Sequence, residues 1–322
     1  MSFARKLAAW QRRHGRHRLP WQGTRDPYRV WLSEVMLQQT QVAAVIPYYE
    51  RFLARFPDVE ALAAASQEEV LRLWSGLGYY ARGRNLHQAA KKVAFDLKGV
   101  FPRSAREIET LPGIGRSTAA AIAAFAFGER AAILDGNVRR VLSRCYGIRE
   151  ERKLWEKAKE LTTVKGIEIH TQALMDLGAT VCTRSNPACA RCPVAADCVA
   201  RRENRIDELP APRKRRSRPT RRTKWFVLVH RGEVLLERRP STGIWGGLWV
   251  FPETLEYKVR KRKRLPALDH GFTHFKLRVR PFLCAVSSRV EAPGRIWLPL
   301  EDAIAAAVPA PVKTLLSGLL GK

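Results

Sequence analysis

Two carboxyl groups have sequence surroundings that push their protonation states in opposite directions. Glu34 is the acidic residue of an otherwise apolar stretch and has Trp31, Val35 and Leu37 as neighbours. Apolar surroundings disfavour a charged carboxylate, so this pattern predicts a raised pKa and a general acid. Asp135 precedes a second helical stretch, where the helix N-terminus favours the ionised form. An ionised carboxylate at that position suits a residue that faces a developing cation.

A protonated acid beside an ionised carboxylate is the pair that cleavage of a glycosidic bond requires. Each residue taken alone has an ordinary explanation. Most glutamates on helices are solvated, and Asp135 without Glu34 is explained as a plain N-cap. The chemistry therefore depends on the two side chains meeting, and the sequence predicts that they converge on one site.

A run of amides follows the predicted acid. Gln38, Gln39 and Thr40 come directly after the apolar helix that carries Glu34. Side-chain amides need hydrogen-bond partners when buried, and they can read base edges or occupy the place of a displaced base. This pattern predicts that the run contacts a nucleic acid.

A glycine-rich turn stands before the helix that precedes Asp135. Its residues are Leu111-Pro112-Gly113-Ile114-Gly115, and we expect Ser117 to cap an apolar helix over 118–127 that Gly128 ends. Glycines at a helix start allow backbone N–H groups to approach a phosphate closely. A phosphate-binding helix-hairpin-helix and an ordinary packing corner explain these five residues equally well.

Four of the six cysteines crowd into one short segment. Cys182, Cys189, Cys192 and Cys198 follow the spacing C-x6-C-x2-C-x5-C. In a reducing compartment, such clustering indicates a metal site rather than disulfides. The segment holds one tight C-x2-C pair, whereas zinc sites usually hold two, so a [4Fe-4S] cluster is favoured. The spacing alone leaves zinc open.

The overall charge indicates a polyanionic partner. The 322 residues carry a net charge of +28, with 46% hydrophobic residues, which is typical of a globular chain. Nucleic acid is the first candidate, and a membrane surface is the rival. No apolar run is long enough to span a bilayer. The basic N-terminus lacks the apolar segment of a secretory signal. We interpret it as a short amphipathic helix, in a cytoplasmic protein, rather than as a transit peptide.

Helical periodicity continues to about residue 200, and no strand pattern interrupts it. Residues 201–224 are rich in arginine and proline and read as a linker. Strand-like alternation follows, with a hairpin predicted over 225–237 and a strand over 275–279. Residues 300–308 look helical. The chain is therefore predicted to be multidomain, with an all-α half followed by a small α+β half.

These motifs together resemble the endonuclease III superfamily of DNA glycosylases. The segments that carry the resemblance are SEVMLQQTQV, LPGIGRSTA, LDGNVRRV and the four-cysteine loop, in the order in which that family has them. They look most like its adenine glycosylase branch, the MutY type. Bifunctional members have a lysine at the position of Ser117 that forms a Schiff base with the sugar. The resemblance therefore implies a monofunctional enzyme.

The resemblance also implies roles for single residues. Glu34 would protonate a flipped adenine at N7, Asp135 would stabilise the cationic sugar, and Asn137 would help to position them. The four cysteines would hold the [4Fe-4S] cluster. The remaining residues are expected to contact substrate or DNA: Gln38, Gln39, Thr40, Leu77, Tyr79, Gly113, Gly115, Ser117 and Arg139. Among them, Gln38 and Tyr79 would enter the base stack beside the lesion, and Arg139 stands where some members have lysine.

The second half is similar to a Nudix-like fold. Gly243 to Pro252 resembles the start of that fold, but 258–264 is basic where Nudix hydrolases have their glutamate-rich metal box. Pyrophosphohydrolase activity is therefore not expected. Phe272-Thr273-His274 matches the loop that recognises 8-oxoguanine in adenine glycosylases, with threonine where serine is usual.

The predicted domains are an all-α helix-hairpin-helix glycosylase domain over 1–209, a basic linker over 210–222 and a Nudix-like domain over 223–322. The first divides into a six-helix module at about 21–130 and an iron–sulfur module of 1–20 plus 131–209. The predicted partner is double-stranded DNA with adenine opposite 8-oxoguanine or guanine, bound by a monomer in a bacterial cytoplasm at the nucleoid. The alternatives are a mismatch-specific thymine glycosylase on the same scaffold and a non-catalytic iron–sulfur DNA-binding protein.

Overall fold

The computed structural model describes residues 1–211, 217–256, 259–289 and 291–321. The chain divides into two compact units. The first, here called the helical unit, comprises Met1–Ala63 and Gln88–Lys214. The second, here called the sheet unit, comprises Ala64–His87 and Arg215–Lys322. Short helical segments of the first half therefore group with the sheet, a division that the sequence did not suggest.

The regular structure of the described residues from 1 to 211 consists of helices without a strand, as predicted. Their bounds are α1 Phe3–His14, α2 Pro27–Leu37, α3 Val42–Arg55, α4 Val59–Ala64, α5 Gln67–Trp74, α6 Tyr80–Lys91, α7 Ala105–Ile108, α8 Arg116–Ile122, α9 Gly136–Tyr146, α10 Glu151–Leu161, α11 Ile167–Thr180 and α12 Val199–Arg202. Of these, α5 and the start of α6 belong to the sheet unit. Single π-helical turns extend α6 over Lys92–Asp96 and α8 over Ala123–Phe127.

The N-terminal helix is the amphipathic helix that the sequence predicts. Leu7 and Trp10 are buried in a core that also contains Val138, Leu142 and Leu177. Each buried leucine or valine side chain contributes about 1.5–3 kcal/mol relative to an exposed one. Helix α1 thus packs with α9 and α11 through apolar side chains.

Local capping signals match the observed helix starts. Ser104 and Glu107 form a full capping box at the start of α7, as the Ser-x-x-Glu pattern predicts. At the start of α5, the Ser66 hydroxyl accepts a hydrogen bond from the Glu69 N–H. Gly128 ends the π-helical turn after α8 in the left-handed conformation, also as predicted.

The sheet unit contains seven strands in its described residues. They are β1 Thr220–His230, β2 Glu233–Arg238, β3 Trp249–Val250, β4 Val259–Arg264, β5 Leu268–Gly271, β6 Lys276–Val286 and β7 Arg295–Pro299, followed by α13 Leu300–Ala305 and α14 Ala310–Leu319. The predicted hairpin is present, with Arg231 and Gly232 in left-handed conformation between β1 and β2. Strand β1 begins within the predicted linker. Part of that linker, 212–216, lies outside the described residues.

The sheet is mixed, with the strand order β3-β2-β1-β6-β4. Strands β1 and β6 are parallel, and β4 and β5 pair with successive parts of β6 in antiparallel orientation. Trp225 of β1 is fully buried and its ring contacts Trp245 and Phe251. This register fixes which exposed side chains share a face, because directly paired residues point the same way.

The short segment Ala64–His87 is held to the rest of the sheet unit by specific contacts. The Trp249 indole N–H donates to Glu68 Oε1 at 2.7 Å, and the Ser75 hydroxyl donates to the Val308 carbonyl at 2.7 Å. Arg84 donates to the Gly246 carbonyl at 2.9 Å. These hydrogen bonds explain why α5 and the start of α6 group with the sheet.

Candidate active site

The helical unit contains a cavity of about 1360 Å³. This volume exceeds the usual range of roughly 300–1,000 Å³ for small-molecule pockets. Its wall brings together most of the residues that the sequence singles out for chemistry: Glu34, Gln38, Gln39, Thr40, Ser117, Asp135 and Asn137. The two carboxyl groups, separated by about a hundred residues in the sequence, therefore face one cavity.

Glu34 is positioned by a well-defined helix. Asp26 accepts hydrogen bonds from the N–H groups of Tyr28 and Arg29, and Pro27 occupies the first helical position of α2. Burial and then the charge of Asp135 raise the pKa of Glu34 to about 8, from its ordinary value of 4.5. Both causes act in the same direction, so the side chain holds a proton at neutral pH. The predicted raised pKa is confirmed.

Asp135 caps α9, as predicted, but its pKa is shifted in the direction opposite to the predicted one. Its carboxylate accepts from the Val138 N–H at 2.7 Å. This hydrogen bond, a second from the Asn137 backbone and the charges of Arg140 and Arg139 all lower the pKa. Burial outweighs them, so the pKa of Asp135 is raised overall. The sequence prediction was wrong in direction because it counted the helix N-terminus and left out desolvation.

Ser117 does not cap α8, so the prediction that its side chain caps this helix was wrong. The N-cap is Gly115, and no side chain bonds to the helix start there. Instead the Ser117 hydroxyl accepts a hydrogen bond of 3.0 Å from the Leu134 N–H. The bond ties α8 to the residue immediately before Asp135. Ser117 therefore supports the turn that carries the second carboxyl group.

Asn137 is held by a close approach between two helices. A Cβ atom on Gly178 of α11 would lie only 2.6 Å from the Asn137 Cβ, so only glycine fits there. Arg140 donates to the Asn137 side-chain oxygen at 2.8 Å and to the Gly178 carbonyl at 2.5 Å. These contacts fix the Asn137 side chain at the edge of the cavity.

The amide run begins where α2 ends. Gln38 donates from its side-chain nitrogen to the Thr118 hydroxyl at 3.3 Å, which connects the run to α8. Gln39 is exposed and has a left-handed backbone with φ of 57°. Non-glycine residues rarely adopt that conformation, and it is found disproportionately at functional sites.

The glycine-rich turn and Arg139 lie outside the residues that line the cavity. Gly113 has φ of 79° and is exposed, as is Gly115, so the turn is accessible to solvent at both glycines. Arg139 on α9 forms an ion pair with Glu151 of α10. Its charge is thus shared with a carboxylate, which the sequence did not indicate.

Sequence reasoning missed one polar group on the cavity wall. Arg16 donates to the fully buried carboxylate of Asp176 through its side chain, at 2.6 Å, and through its backbone N–H, at 2.9 Å. Gln172 donates to the same carboxylate at 2.8 Å. The sequence feature that could have revealed this group is the aspartate within the apolar stretch of α11, because a buried carboxylate requires a partner.

All four clustered cysteines line a second, small cavity in the helical unit, of about 30 Å³. Each is a free thiol. Arg144, which is buried, donates to the Cys182 sulfur at 3.6 Å and to the Thr183 carbonyl at 2.7 Å. Within the described ranges, no group of three or more histidine, cysteine or acidic side chains has an arrangement that could hold a single metal ion. Four thiols around one cavity nevertheless fit the donor set of an iron–sulfur cluster, which is larger than one ion.

In the sheet unit, the predicted recognition loop rests on aromatic rings. Phe272 lies 4.5 Å from Phe275 in a stacked pair, and its ring is 5.4 Å from Trp245 and 4.8 Å from His270. Thr273 and His274, between the two phenylalanines, are exposed. A rigid aromatic base thus presents two polar side chains to solvent.

Tyr79 and Leu77 also belong to the sheet unit. Tyr79 is 48% exposed and has φ of 49°. The Arg82 guanidinium lies 5.3 Å from its ring centre. Leu77 is buried, so its side chain is not presented to solvent.

Comparison with known proteins agrees with this architecture. Residues 32–163 match the family model of the HhH-GPD superfamily base excision DNA repair proteins, and residues 224–318 match that of the NUDIX domain. A solved structure described as a thermostable thymine-DNA glycosylase superposes with a TM-score of 0.59 at 28% identity, over 62% of this chain and 95% of that one. The helical unit thus has the fold of the helix-hairpin-helix glycosylases.

Full-length relatives narrow the class further. The adenine DNA glycosylase of Buchnera aphidicola subsp. Baizongia pistaciae is 35% identical over 98% of this chain and 96% of its own. The human adenine DNA glycosylase is 35% identical over 97% of this chain and 73% of its own. The chain belongs to the adenine DNA glycosylase family. In the described residues, no helix has the length and apolar character needed to cross a membrane.

Proposed function

We propose that this protein is a monofunctional DNA glycosylase that removes adenine mispaired with 8-oxoguanine or guanine during base excision repair. The observation that carries the proposal is the cavity that Glu34 and Asp135 share, with a pKa of Glu34 of about 8. Membership of the adenine DNA glycosylase family supports adenine as the base. The cavity volume is sufficient for an extruded nucleotide, which such enzymes rotate out of the duplex.

Glu34 acts as the general acid. Because its pKa lies above neutral, its carboxyl group carries the proton that N7 of adenine receives. Protonation makes the base a better leaving group, and the bond from C1′ to N9 breaks with its electron pair on the base. The sugar is left with positive charge at C1′.

Asp135 stabilises that charge. Burial raises the pKa of both carboxyl groups, but backbone hydrogen bonds from α9 and the nearby arginine charges oppose this rise at Asp135, whereas both causes at Glu34 raise its pKa. We therefore propose that Asp135 is the member of the pair that reacts as a carboxylate. Water then adds to C1′, and the products are free adenine and an abasic site. Ser117 has no amine, so no Schiff base with the sugar forms.

Most of the remaining sequence-predicted residues, but not the buried Leu77, hold the DNA. The glycine-rich turn at Gly113 and Gly115 binds a phosphate, with Arg139 as a further cation. Gln38 and Tyr79 enter the base stack where the adenine leaves. Phe272, Thr273 and His274 recognise 8-oxoguanine. The contacts are made by the exposed Thr273 hydroxyl and His274 imidazole, which the aromatic rings of the loop support. A single chain supplies every one of these groups, so we propose that a monomer acts on duplex DNA.

The helical unit also holds a [4Fe-4S] cluster, with Cys182, Cys189, Cys192 and Cys198 as its ligands. The cluster shapes the loop that carries these four residues. The four thiols on one cavity support it. We expect purified protein to contain about four iron atoms per chain. Stoichiometric zinc instead of iron would contradict the assignment.

The decisive experiment is a panel of duplexes under single-turnover conditions, with adenine opposite 8-oxoguanine, adenine opposite guanine, and thymine opposite guanine. We expect adenine release from the first two and fastest release opposite 8-oxoguanine. Preferential thymine release would favour the mismatch thymine glycosylase, and binding without any base release would favour a non-catalytic protein. Borohydride should trap no covalent DNA adduct.

A further inference from the structure

The sheet unit has one face on which exposed cations are placed side by side. In the register of β1 with β6, Arg222 pairs with Arg278 and Lys224 pairs with Arg280. In the register of β4 with β6, Arg264 pairs with Phe282 and Arg262 pairs with Cys284. Paired residues share a face, and positions two apart along a strand do so as well. This face, here called the cationic sheet face, therefore carries Arg222, Lys224, Arg262, Arg264, Arg278 and Arg280, all exposed.

Ion pairing inside the chain accounts for one of these six charges. Arg278 forms a two-bond ion pair with Asp269 of β5, at 2.7 Å for both bonds. Among the residues that the structure describes, no carboxylate lies within 4 Å of the other five cations. Most of the positive charge on this face thus has no partner in the described part of the fold.

The arrangement is unfavourable for folding. Like charges placed directly opposite one another on adjacent strands destabilise a sheet, and Lys224 with Arg280 is such a pair, whereas Asp269 compensates the Arg278 charge that lies opposite Arg222. Strands are about 5 Å apart, and alternate residues are about 7 Å apart along a strand. The like charges on this face therefore repel one another from close by. A solvated surface with no partner would be expected to mix charges of both signs.

Aromatic rings hold part of the array in place. The Arg262 guanidinium lies 4.0 Å from the ring centre of Phe282 and 5.4 Å from that of Phe226, and the two rings stack on each other. An arginine that rests on a ring keeps its N–H donors directed outward. Arg262 is therefore partly preorganised, which lowers the entropy cost of binding an anion there.

We infer that the cationic sheet face binds the phosphate backbone of duplex DNA, as a binding surface additional to the recognition loop and the glycine-rich turn. Duplex DNA carries one negative charge per about 1.7 Å of its axis, so several phosphates lie within reach of cations that are spaced by about 5–7 Å on this face. The strands β1 and β6 carry the array up to the residues next to the recognition loop: Phe275 directly precedes β6. The contacts are independent of base sequence. The inference goes beyond the proposed function, since it requires no base excision.

Salt dependence of binding tests it. We compare the full chain with a variant that carries Arg222→Gln, Lys224→Gln, Arg264→Gln and Arg280→Gln, using a short undamaged duplex. Each lost phosphate contact lowers the slope of log K against log salt by about 0.9, so the loss of four contacts should make the slope smaller by about 3.6. Between about 50 and 200 mM salt, the unmodified chain should therefore lose about 150-fold more affinity than the variant.

A matched control removes four charges elsewhere in the same unit. Lys261 and Lys263 alternate with Arg262 and Arg264 on β4 and pair with Ala285 and Leu283, so they lie on the opposite face. The control carries Lys261→Gln, Lys263→Gln, Arg231→Gln and Lys313→Gln, and should change the slope by less than about 1. Circular dichroism establishes that both variants fold.

Equal slopes for the variant and the control would overturn the inference. So would a variant that keeps the slope on duplex DNA but loses binding to vesicles containing anionic lipid, because the surface would then be a membrane contact. Because the duplex contains no mispair, a protein that fails to excise adenine can still pass this test. The two proposals therefore fail separately.

Discussion

The two units of this protein use charge in opposite ways. The helical unit places two carboxyl groups on the wall of one cavity, where burial raises the pKa of both. The sheet unit places most of its cations at the surface, where they stay hydrated and have no desolvation cost. Desolvated charge changes the chemistry of the group that carries it, whereas solvated charge acts on a partner at long range. The comparison leads to the prediction that the helical unit carries the reaction chemistry, and that the sheet unit adds affinity to the phosphate contacts proposed for the glycine-rich turn.

The strongest test of the first half of this comparison is Glu34→Gln. An amide cannot supply the proton, so we expect adenine excision to slow by about 10²–10⁴-fold. Duplex affinity should change by less than a factor of about three, since phosphate contacts dominate it. Single-turnover rates and binding isotherms measure the two effects.

Glu168→Gln is the control for that variant, because it alters another carboxyl group that lines the same cavity. Excision at the normal rate in Glu34→Gln would show that the shared cavity does not carry the chemistry.

Stability against pH tests the cost of the buried carboxyl group. Glu34 has a pKa of about 8 in the folded protein and 4.5 ordinarily, so the folded state binds the proton more tightly. The stabilisation from that proton is complete below about pH 4.5 and is lost as the pH rises to about 8. A tenfold difference in proton affinity between the folded and unfolded protein corresponds to about 1.4 kcal/mol.

Denaturant unfolding between pH 5 and pH 8 should therefore show the free energy of unfolding falling more steeply in the unmodified chain than in Glu34→Gln. Parallel curves for the two proteins would contradict the raised pKa.

Phe275→Ala tests the aromatic base of the recognition loop. The stacked pair with Phe272 is worth about 0.5–1.5 kcal/mol, so the preference for adenine opposite 8-oxoguanine over adenine opposite guanine should fall by about 2- to 10-fold. The measurement is the ratio of single-turnover rates on the two duplexes. Phe95→Ala, which removes a phenylalanine that is 63% exposed, is the control. A preserved preference would mean that the loop keeps its shape without the stack.

The smallest predicted effect concerns Arg139 and its ion pair with Glu151. Glu151→Gln frees the guanidinium for phosphate, and exposed ion pairs are worth about 0.2–1 kcal/mol, so duplex affinity should rise by about 1.5- to 5-fold. Glu156→Gln breaks the pair with Arg152 on the same helix and serves as the control. An equal rise in both would indicate only the loss of a negative charge.

Local patterns identified residues of the helical unit that line one cavity, and their roles in the reaction stay predictions. Glu34, Ser117 and Asp135 each follow a motif of a few residues, and all three line the cavity. The Asp135 pKa could not be predicted, because its sign depends on burial by elements distant in sequence. The same holds for the partner of Ser117, since the Leu134 N–H comes from another part of the chain.

The cationic sheet face required the strand register. Arg222 and Arg278 are far apart in the sequence, and only the pairing of β1 with β6 shows them side by side. The sequence indicated a basic stretch at 258–264 but not that its alternate residues separate onto two faces. The ion pair of Arg16 with Asp176 likewise joins the two ends of the helical unit's chain. Long-range geometry of this kind is absent from any local pattern.

Gly178 has no side chain, and this absence allows α11 to lie close to the residues for which we propose chemistry. Substituting even alanine there would push α11 against Asn137, two residues from Asp135, and would displace the residues for which we propose chemistry. A mutation at an inconspicuous helical position should thus impair turnover while the protein still folds and still holds its substrate.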